Sequence, residues 1–227
     1  MQISVIMPVL NEEASVGSCL AQFQDVKDVE LIVVDGGSSD RTQEVVEALE
    51  AVRWVEASDT GRAIQMNVGA KEARGDVFLF LHADTFLPED GIGLIRKSLD
   101  NAHVVGGRFQ LGLSEKTPGF RLVAWFSTLR SRYLGITYGD QGIYVRREVF
   151  EAVGGFPQLW VFEDSEFCKC VKKLGKFVMV NAQVCSSTRR WRKWGIVRTV
   201  FWMWVLRLLY VCSVSDQTLS RWYRAAR

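Results

Sequence analysis

Over the first 100 residues, short β-rich runs alternate with stretches of helical periodicity, and this pattern restricts the fold more than any other feature of the chain. Strands are expected at Ile3 to Met7, Leu31 to Val34, Val52 to Val55 and Val77 to Leu81. Between the first two, Val16, Cys19, Leu20 and Phe23 recur at the i, i+3, i+4, i+7 spacing of one helical face. After the second strand, Asp40 reads as an N-cap with Gln43 three residues on, followed by apolar Val45, Val46 and Leu49. A further helix is expected from about Gly61 to Ala73. Units of this length alternate only in a mostly parallel, Rossmann-like sheet with helices on both faces.

The second half is less regular. Strands are expected at Val104 to Leu111 and Gly142 to Arg146, with a strand pair around Lys176 to Ser187. Helices are expected near Pro118 to Arg132, Arg147 to Val153 and Asp164 to Leu174. The 227 residues suit one α/β domain over 1–190 with a helical, aromatic and basic appendage over 191–227.

In an open α/β sheet, ligands bind in the crevice outside the C-terminal strand ends. The run Leu79-Phe-Leu-His82-Ala83-Asp84 places a carboxylate there, suited to a metal or a phosphate-bearing ligand. Asp35 likewise ends a strand and is followed by Gly36, Gly37, Ser38 and Ser39, small residues that let a ligand approach the backbone. It reads either as an acceptor for a base N–H or ribose hydroxyl, or as part of a plain turn. There is no GxGxxG or Walker A pattern, so dinucleotide and P-loop binding are unsupported.

Charge narrows the partners. The net charge of +2 hides an asymmetry: Arg189, Arg190, Arg192, Lys193, Arg198, Arg207, Arg221, Arg224 and Arg227 face a single acid, Asp216, over the last 39 residues. That favours a phosphate-bearing partner or an anionic membrane surface. Nucleic acid does not fit, because the basic residues are interleaved with a long apolar stretch and match no nucleic-acid module. Five cysteines without a CxxC pair, and no secretory leader, point to reduced thiols in the cytoplasm, with the inner face of the plasma membrane as a further location. Cys168 and Cys170 read as ordinary helix positions rather than a metal pair, since no His lies nearby in sequence.

The segments PVLNEE (8–13), VVDGGSSDRT (33–42), GRAIQMNVGA (61–70), LHADT (81–85), GDQGIYVRREVFEAVGGFP (139–157), FEDSEF (162–167) and SSTRRW (186–191), in this order, resemble a family-2 glycosyltransferase of the GT-A fold. The likeness is strongest to a small bacterial branch with His-Ala-Asp in place of Asp-x-Asp.

The resemblance implies a nucleotide-sugar donor, most simply a UDP-sugar, bound by Pro8, Leu10, Glu12, Asp35, Gly37 and Ala83, with Arg62 and Gln65 near the sugar-diphosphate. It implies Mn²⁺ or Mg²⁺ on Asp84, with His82 either a further ligand or a packed strand-end side chain. Asp164, beside Glu163, would be the general base of an inverting transfer. Arg189, Arg190 and Trp191 would clamp the pyrophosphate and wall the acceptor site, the alternative being a basic helix start on solvent. Asp140 and Gln141 would meet sugar or acceptor hydroxyls, whereas Gly106, Gly107, Gly154 and Gly155 read as turn and close-approach positions.

The chemistry asks for such a division without the name: a sugar hydroxyl needs a base, and a departing diphosphate needs its charge held. The acceptor stays open between a lipid-linked saccharide and a small molecule. Two other readings remain: a catalytically degenerate sugar-nucleotide-binding module, and a sugar nucleotidyltransferase, which would want a basic Gly-rich loop where PVLNEE is acidic.

The stretch Trp194 to Ser213 is nearly all apolar, and Arg198 and Arg207, nine positions apart, define no single polar face. It is expected to pack on the domain, to form a homodimer contact, to lie on a membrane as a peripheral contact, or to span one. The span is disfavoured because Arg207 at an interior position costs about 2.5–3.5 kcal/mol.

Overall fold

The computed structural model describes residues 1–225, of Arg190, Arg224 and Ala225 the backbone only; Ala226 and Arg227 lie outside them. The four expected strands form as β1 (Ile3–Val9), β2 (Val29–Asp35), β3 (Val52–Glu56) and β4 (Val77–Phe80), joined by α1 (Val16–Ala21), α2 (Thr42–Glu47) and α3 (Arg62–Glu72). After β5 (Thr85–Phe86) come α4 (Gly91–Leu99), β6 (Val104–Leu113) and α5 (Pro118–Tyr133). A short 3₁₀ turn (Gly139–Gln141) precedes β7 (Ile143–Arg146), α6 (Arg147–Ala152), α7 (Glu163–Val171) and β8 (Lys176–Ser186). The chain closes with α8 (Arg189–Trp194), α9 (Ile196–Val211) and α10 (Asp216–Ala225).

One eight-stranded sheet runs in the order β3-β2-β1-β4-β7-β6-β8-β5. Strands β1 to β4 are mutually parallel, β7 is antiparallel to both neighbours, β6 and β8 are parallel, and β5 reverses again. The sheet is therefore mainly parallel, as expected. Alternate side chains feed two cores: Val5, Met7, Leu79 and Leu81 face one side with α1, α4 and α5, while Ile6, Phe78 and Phe80 face the other with α3, α6 and α7. Burial on both faces explains why these strands read as unbroken apolar runs. Gly69 lets α3 rest on the sheet, for a Cβ there would fall 2.5 Å from Ile6 Cγ2.

Three local expectations are corrected. Helix α2 starts at Thr42 behind Arg41 and carries no side-chain cap. Asp40 instead accepts from the Thr42 amide (2.9 Å) and the Glu13 amide (3.2 Å), and Gln43 donates to Glu47. The strand pair at 176–187 is a single eleven-residue strand, β8, with no Pro or Gly in it to turn the chain; it pairs with β6 on one side and β5 on the other. Helix α4 and strand β5 were not expected at all.

From Arg189 onward the chain forms three helices, α8, α9 and α10. Gly195, at φ 80°, separates the basic α8 from the apolar α9. The inner side of α9 supplies Leu206, which joins Val161, Phe162 and Leu219 of α10 in a third small core. Arg207 is buried there, its guanidinium over the Phe162 ring and 3.9 Å from Glu166. Among the described residues no helix is long and apolar enough to cross a membrane.

Candidate active site

The C-terminal ends of β1 and β2 carry two loops that are tied into one rim. The Asn11 amide donates to Ser38 Oγ (2.9 Å), and Asn11 Oδ1 accepts from the Ser39 amide (2.8 Å). The Glu12 amide donates to Thr42 Oγ1 (2.8 Å), and Glu13 accepts from the Arg41 amide (3.0 Å). Asn11 adopts φ 56° to turn the chain into this arrangement, a conformation Asn tolerates better than most residues.

Asp35 is the anchor of the second loop. Its carboxylate accepts from the amides of Gly37 and Ser38, both at 2.9 Å, and from the Ser38 hydroxyl. Gly37, at φ 94°, faces open space, with nothing within 4 Å of where a Cβ would point. Leu10 is exposed at the rim, whereas Pro8 is buried in β1. Gln65 does not face a ligand: it is buried and donates its amide to Val9 O and Val34 O, both at 2.8 Å, holding the two strand ends at fixed spacing.

Asp84 lies on the same edge. Its carboxylate is 3.2 Å from the Arg189 guanidinium, which also reaches Glu12 at 2.7 Å. The Asp84 carbonyl accepts from the Ser187 amide at 3.1 Å, so the turn holding Asp84 and the start of α8 are fastened together. Ala83 is buried between them and the core.

Among the described residues no group of three His, Cys, Asp or Glu side chains could hold a metal ion. A cation shared with a substrate's phosphates needs only one or two protein carboxylates, because phosphate oxygens and water complete its octahedron. Asp84 and Glu12, brought together by Arg189, fit that smaller requirement. The His82 ring lies instead beside Gly139, where a Cβ would fall 2.7 Å from Nε2 and 3.5 Å from Asp164 Oδ2. His82 thus shares its space with the second acid.

That acid, Asp164, is in the first turn of α7 and is buried. It accepts from the Gly139 amide and the Ser165 amide, both at 2.6 Å. Burial pushes its pKa up, while Arg62 and the two amides pull the other way. Glu163, also buried, meets Arg62 Nε at 3.1 Å through Oε1, and no hydrogen-bond partner serves its Oε2. Burial again leads: with the adjacent Asp164 it raises the Glu163 pKa to about 7 against the pull of Arg62. Arg62 therefore serves the acids of α7 from the N-terminus of α3. A buried acid whose pKa is raised is a stronger proton acceptor once ionised than an exposed carboxylate.

The remaining expected residues divide. Gln141 is fully buried, donating to Phe109 O (3.2 Å), and cannot meet a hydroxyl. Asp140, its neighbour, is partly exposed. Trp191 packs against the larger core rather than standing over an open site. Gly106 and Gly107 lie inside β6 against β7, a close approach and not a turn, while Gly154 and Gly155 turn the chain at φ 78° and 77°. Cys168 is buried and Cys170 exposed on α7, opposite placements that make no metal pair.

Residues that sequence alone did not single out are the Gly139 amide, which needs the fold to bring it to Asp164, and Asp216. The latter accepts from the Trp160 and Val161 amides at 2.8 and 3.2 Å and so clips the segment leading into α7.

Residues 4–154 match the profile of Glycosyl transferase family 2. An uncharacterized glycosyltransferase of Haemophilus influenzae is 25% identical over 200 residues, covering 82% of this chain and 78% of that protein. The undecaprenyl-phosphate 4-deoxy-4-formamido-L-arabinose transferase of Photorhabdus laumondii is 29% identical over 167 residues, covering 67% and 51%. The fold superposes on a mannosyltransferase of Pyrobaculum calidifontis, solved with GDP-Man and Mn²⁺, with a TM-score of 0.71 at 22% identity over 91% of this chain and 60% of that one. The chain thus spans between half and four-fifths of these proteins. Asp164 and Arg189 fall beyond the matched residues, but the laced loops, Gln65 and Asp84 all lie within them. The fold is GT-A, and the chain belongs to glycosyl transferase family 2.

Proposed function

We propose that the chain is an inverting glycosyltransferase that moves a sugar from a nucleoside-diphosphate donor to an acceptor hydroxyl. The observation that carries this reading is the pair of acids in unlike settings on one sheet edge. Asp164 is buried with a raised pKa, whereas Asp84 is partly exposed and shares a guanidinium with Glu12.

In this reading the nucleoside rests on the rim formed by residues 10–13 and 36–39, shaped by Asp35 and open at Gly37. Arg189 turns from the two carboxylates to the diphosphate oxygens. Asp84, with Glu12 beside it, would hold Mn²⁺ or Mg²⁺, whose chemistry there is to neutralise the charge gathering on the departing diphosphate. The acceptor oxygen bonds to the anomeric carbon from the face opposite the diphosphate and gives its proton to Asp164. The bond from carbon to diphosphate oxygen breaks, and its electron pair leaves with the nucleotide. One displacement inverts the centre and needs no protein nucleophile.

Family resemblance favours UDP, and the archaeal neighbour solved with GDP-Man makes GDP the comparison. A lipid-linked acceptor is favoured by the undecaprenyl-phosphate specificity carried in the Photorhabdus relative's name. Calorimetric titration with UDP and with GDP, each with Mn²⁺, Mg²⁺ or chelator, on the wild type and Asp84→Ala, tests the donor site. Cation-dependent binding of one nucleotide, lost in the variant, is the expected result. Proton NMR of the product's anomeric centre tests inversion, and retained configuration refutes it.

A further inference from the structure

Helix α9 wears its apolar side outward. Val197, Phe201, Trp204, Leu208 and Val211, spaced by four, three, four and three residues, are all exposed and fall on one helical face. Helix α5, which packs against α9, repeats the pattern with exposed Leu122, Trp125, Phe126 and Tyr133. The Trp125 and Phe126 rings meet edge-to-face at 4.9 Å while both remain exposed. A soluble surface rarely keeps so many large apolar side chains together without a partner.

Charge decides which partner. Between residues 116 and 134, and again between 189 and 215, the chain contains Lys and Arg but no Asp or Glu. Lys116, Arg121, Arg132 and Arg198 are exposed beside the two apolar stripes. A second copy docking through the same face would bring like charges together, whereas an anionic lipid surface complements them. Trp, Tyr and Phe with flanking Arg are also the residues that seat a helix at the headgroup level. Sixteen residues of α9 reach only about 24 Å, short of the ~30 Å hydrocarbon core, so the helix lies on a bilayer rather than across it.

We propose that α5 and α9 together dock the protein on an anionic membrane surface. The inner side of α9 packs on Val161 and Phe162, the residues immediately before Glu163 and Asp164. Docking therefore sets the acid-bearing segment close to the lipid headgroups. The surface stands without the transferase reading; its value to a lipid-linked acceptor rests on that reading.

Flotation of the full chain tests the proposal, with vesicles of phosphatidylcholine alone and of phosphatidylcholine with phosphatidylglycerol. Association with the anionic vesicles only is expected, falling as salt is raised. Phe126→Ser with Phe201→Ser should weaken it by about tenfold or more. Lys116→Gln with Arg121→Gln, changes at exposed side chains away from the core, should weaken it roughly fivefold per charge. Nucleotide affinity, unchanged in each variant, reports that the domain is folded. No flotation, or equal flotation with neutral vesicles, overturns the proposal. So does a dimer in light scattering that the Phe variants dissociate while vesicles fail to bind, which would give the face to a second copy. Wild-type flotation by a chain that binds no nucleotide would defeat the transferase reading and leave this one standing.

Discussion

Asp164 and Glu163 are adjacent acids that burial treats alike and contacts treat differently. Asp164 is held by two amides with its carboxylate turned toward His82 and Gly139, while Glu163 is spent on Arg62. Asp164→Asn should lower kcat by about 10²–10⁴-fold and leave nucleotide Kd unchanged, because a base acts on the acceptor; calorimetry showing lost nucleotide binding would remove Asp164 from that role. The base must be ionised to work, so kcat/KM should rise with pH through a value above the ordinary carboxylate range. Glu163 bears on stability with a definite sign. Its folded pKa lies above its ordinary value of 4.5, so the folded state binds the extra proton, and its contribution is present in acid and lost as pH rises toward about 7. Urea unfolding of wild type and Glu163→Gln at pH 5 and pH 8 should show the wild type losing ground over that interval relative to the variant. Asp84 stood out in sequence as an acid closing an apolar run, whereas Asp164, flanked by Glu163 and Glu166, was singled out only through the family resemblance of FEDSEF. The employment of Gln65 on two strand carbonyls was not, since its partners are 56 and 31 residues away.

At the scale of elements, the site is a meeting of strand ends and helix starts. Gly139→Ala should push the His82 ring aside, lowering kcat while sparing nucleotide affinity, since the added Cβ would meet Nε2 at 2.7 Å. Asp35→Ala frees two amides and a hydroxyl of the second loop. It should cost about 1–3 kcal/mol of stability and weaken nucleotide binding with or without cation. Unchanged affinity in a titration would take the loop out of the pocket. The strands and helices of the first hundred residues were legible because strands such as β1 and β4 are buried on both faces, whatever strand they pair with, and helices such as α1 show their own local periodicity. Strand β5 was not, because two residues carry no periodicity and its pairing of Thr85 with Ser186 is wholly non-local. The reading of a strand pair at 176–187 failed for the related reason that β8 finds partners on both sides from distant segments.

At the scale of the molecule, α5, α8 and α9 contain Lys and Arg but no Asp or Glu. If docking presents the acceptor, kcat/KM for a lipid-linked acceptor should be higher in anionic vesicles than in neutral ones, with nucleotide Kd the same in both. Sequence showed that the tail was apolar but not which side of α9 turned inward, because Arg207, the residue that looked most soluble, is buried against Phe162 and Glu166. The lacing of residues 11–13 to 38–42 has a consequence for inheritance. Each tie joins partners 27 to 30 positions apart, so neither loop holds its shape without the other. A chimera that imports the second loop from a relative with a different nucleotide preference must import the first with it, and the two segments should change together or not at all across descent.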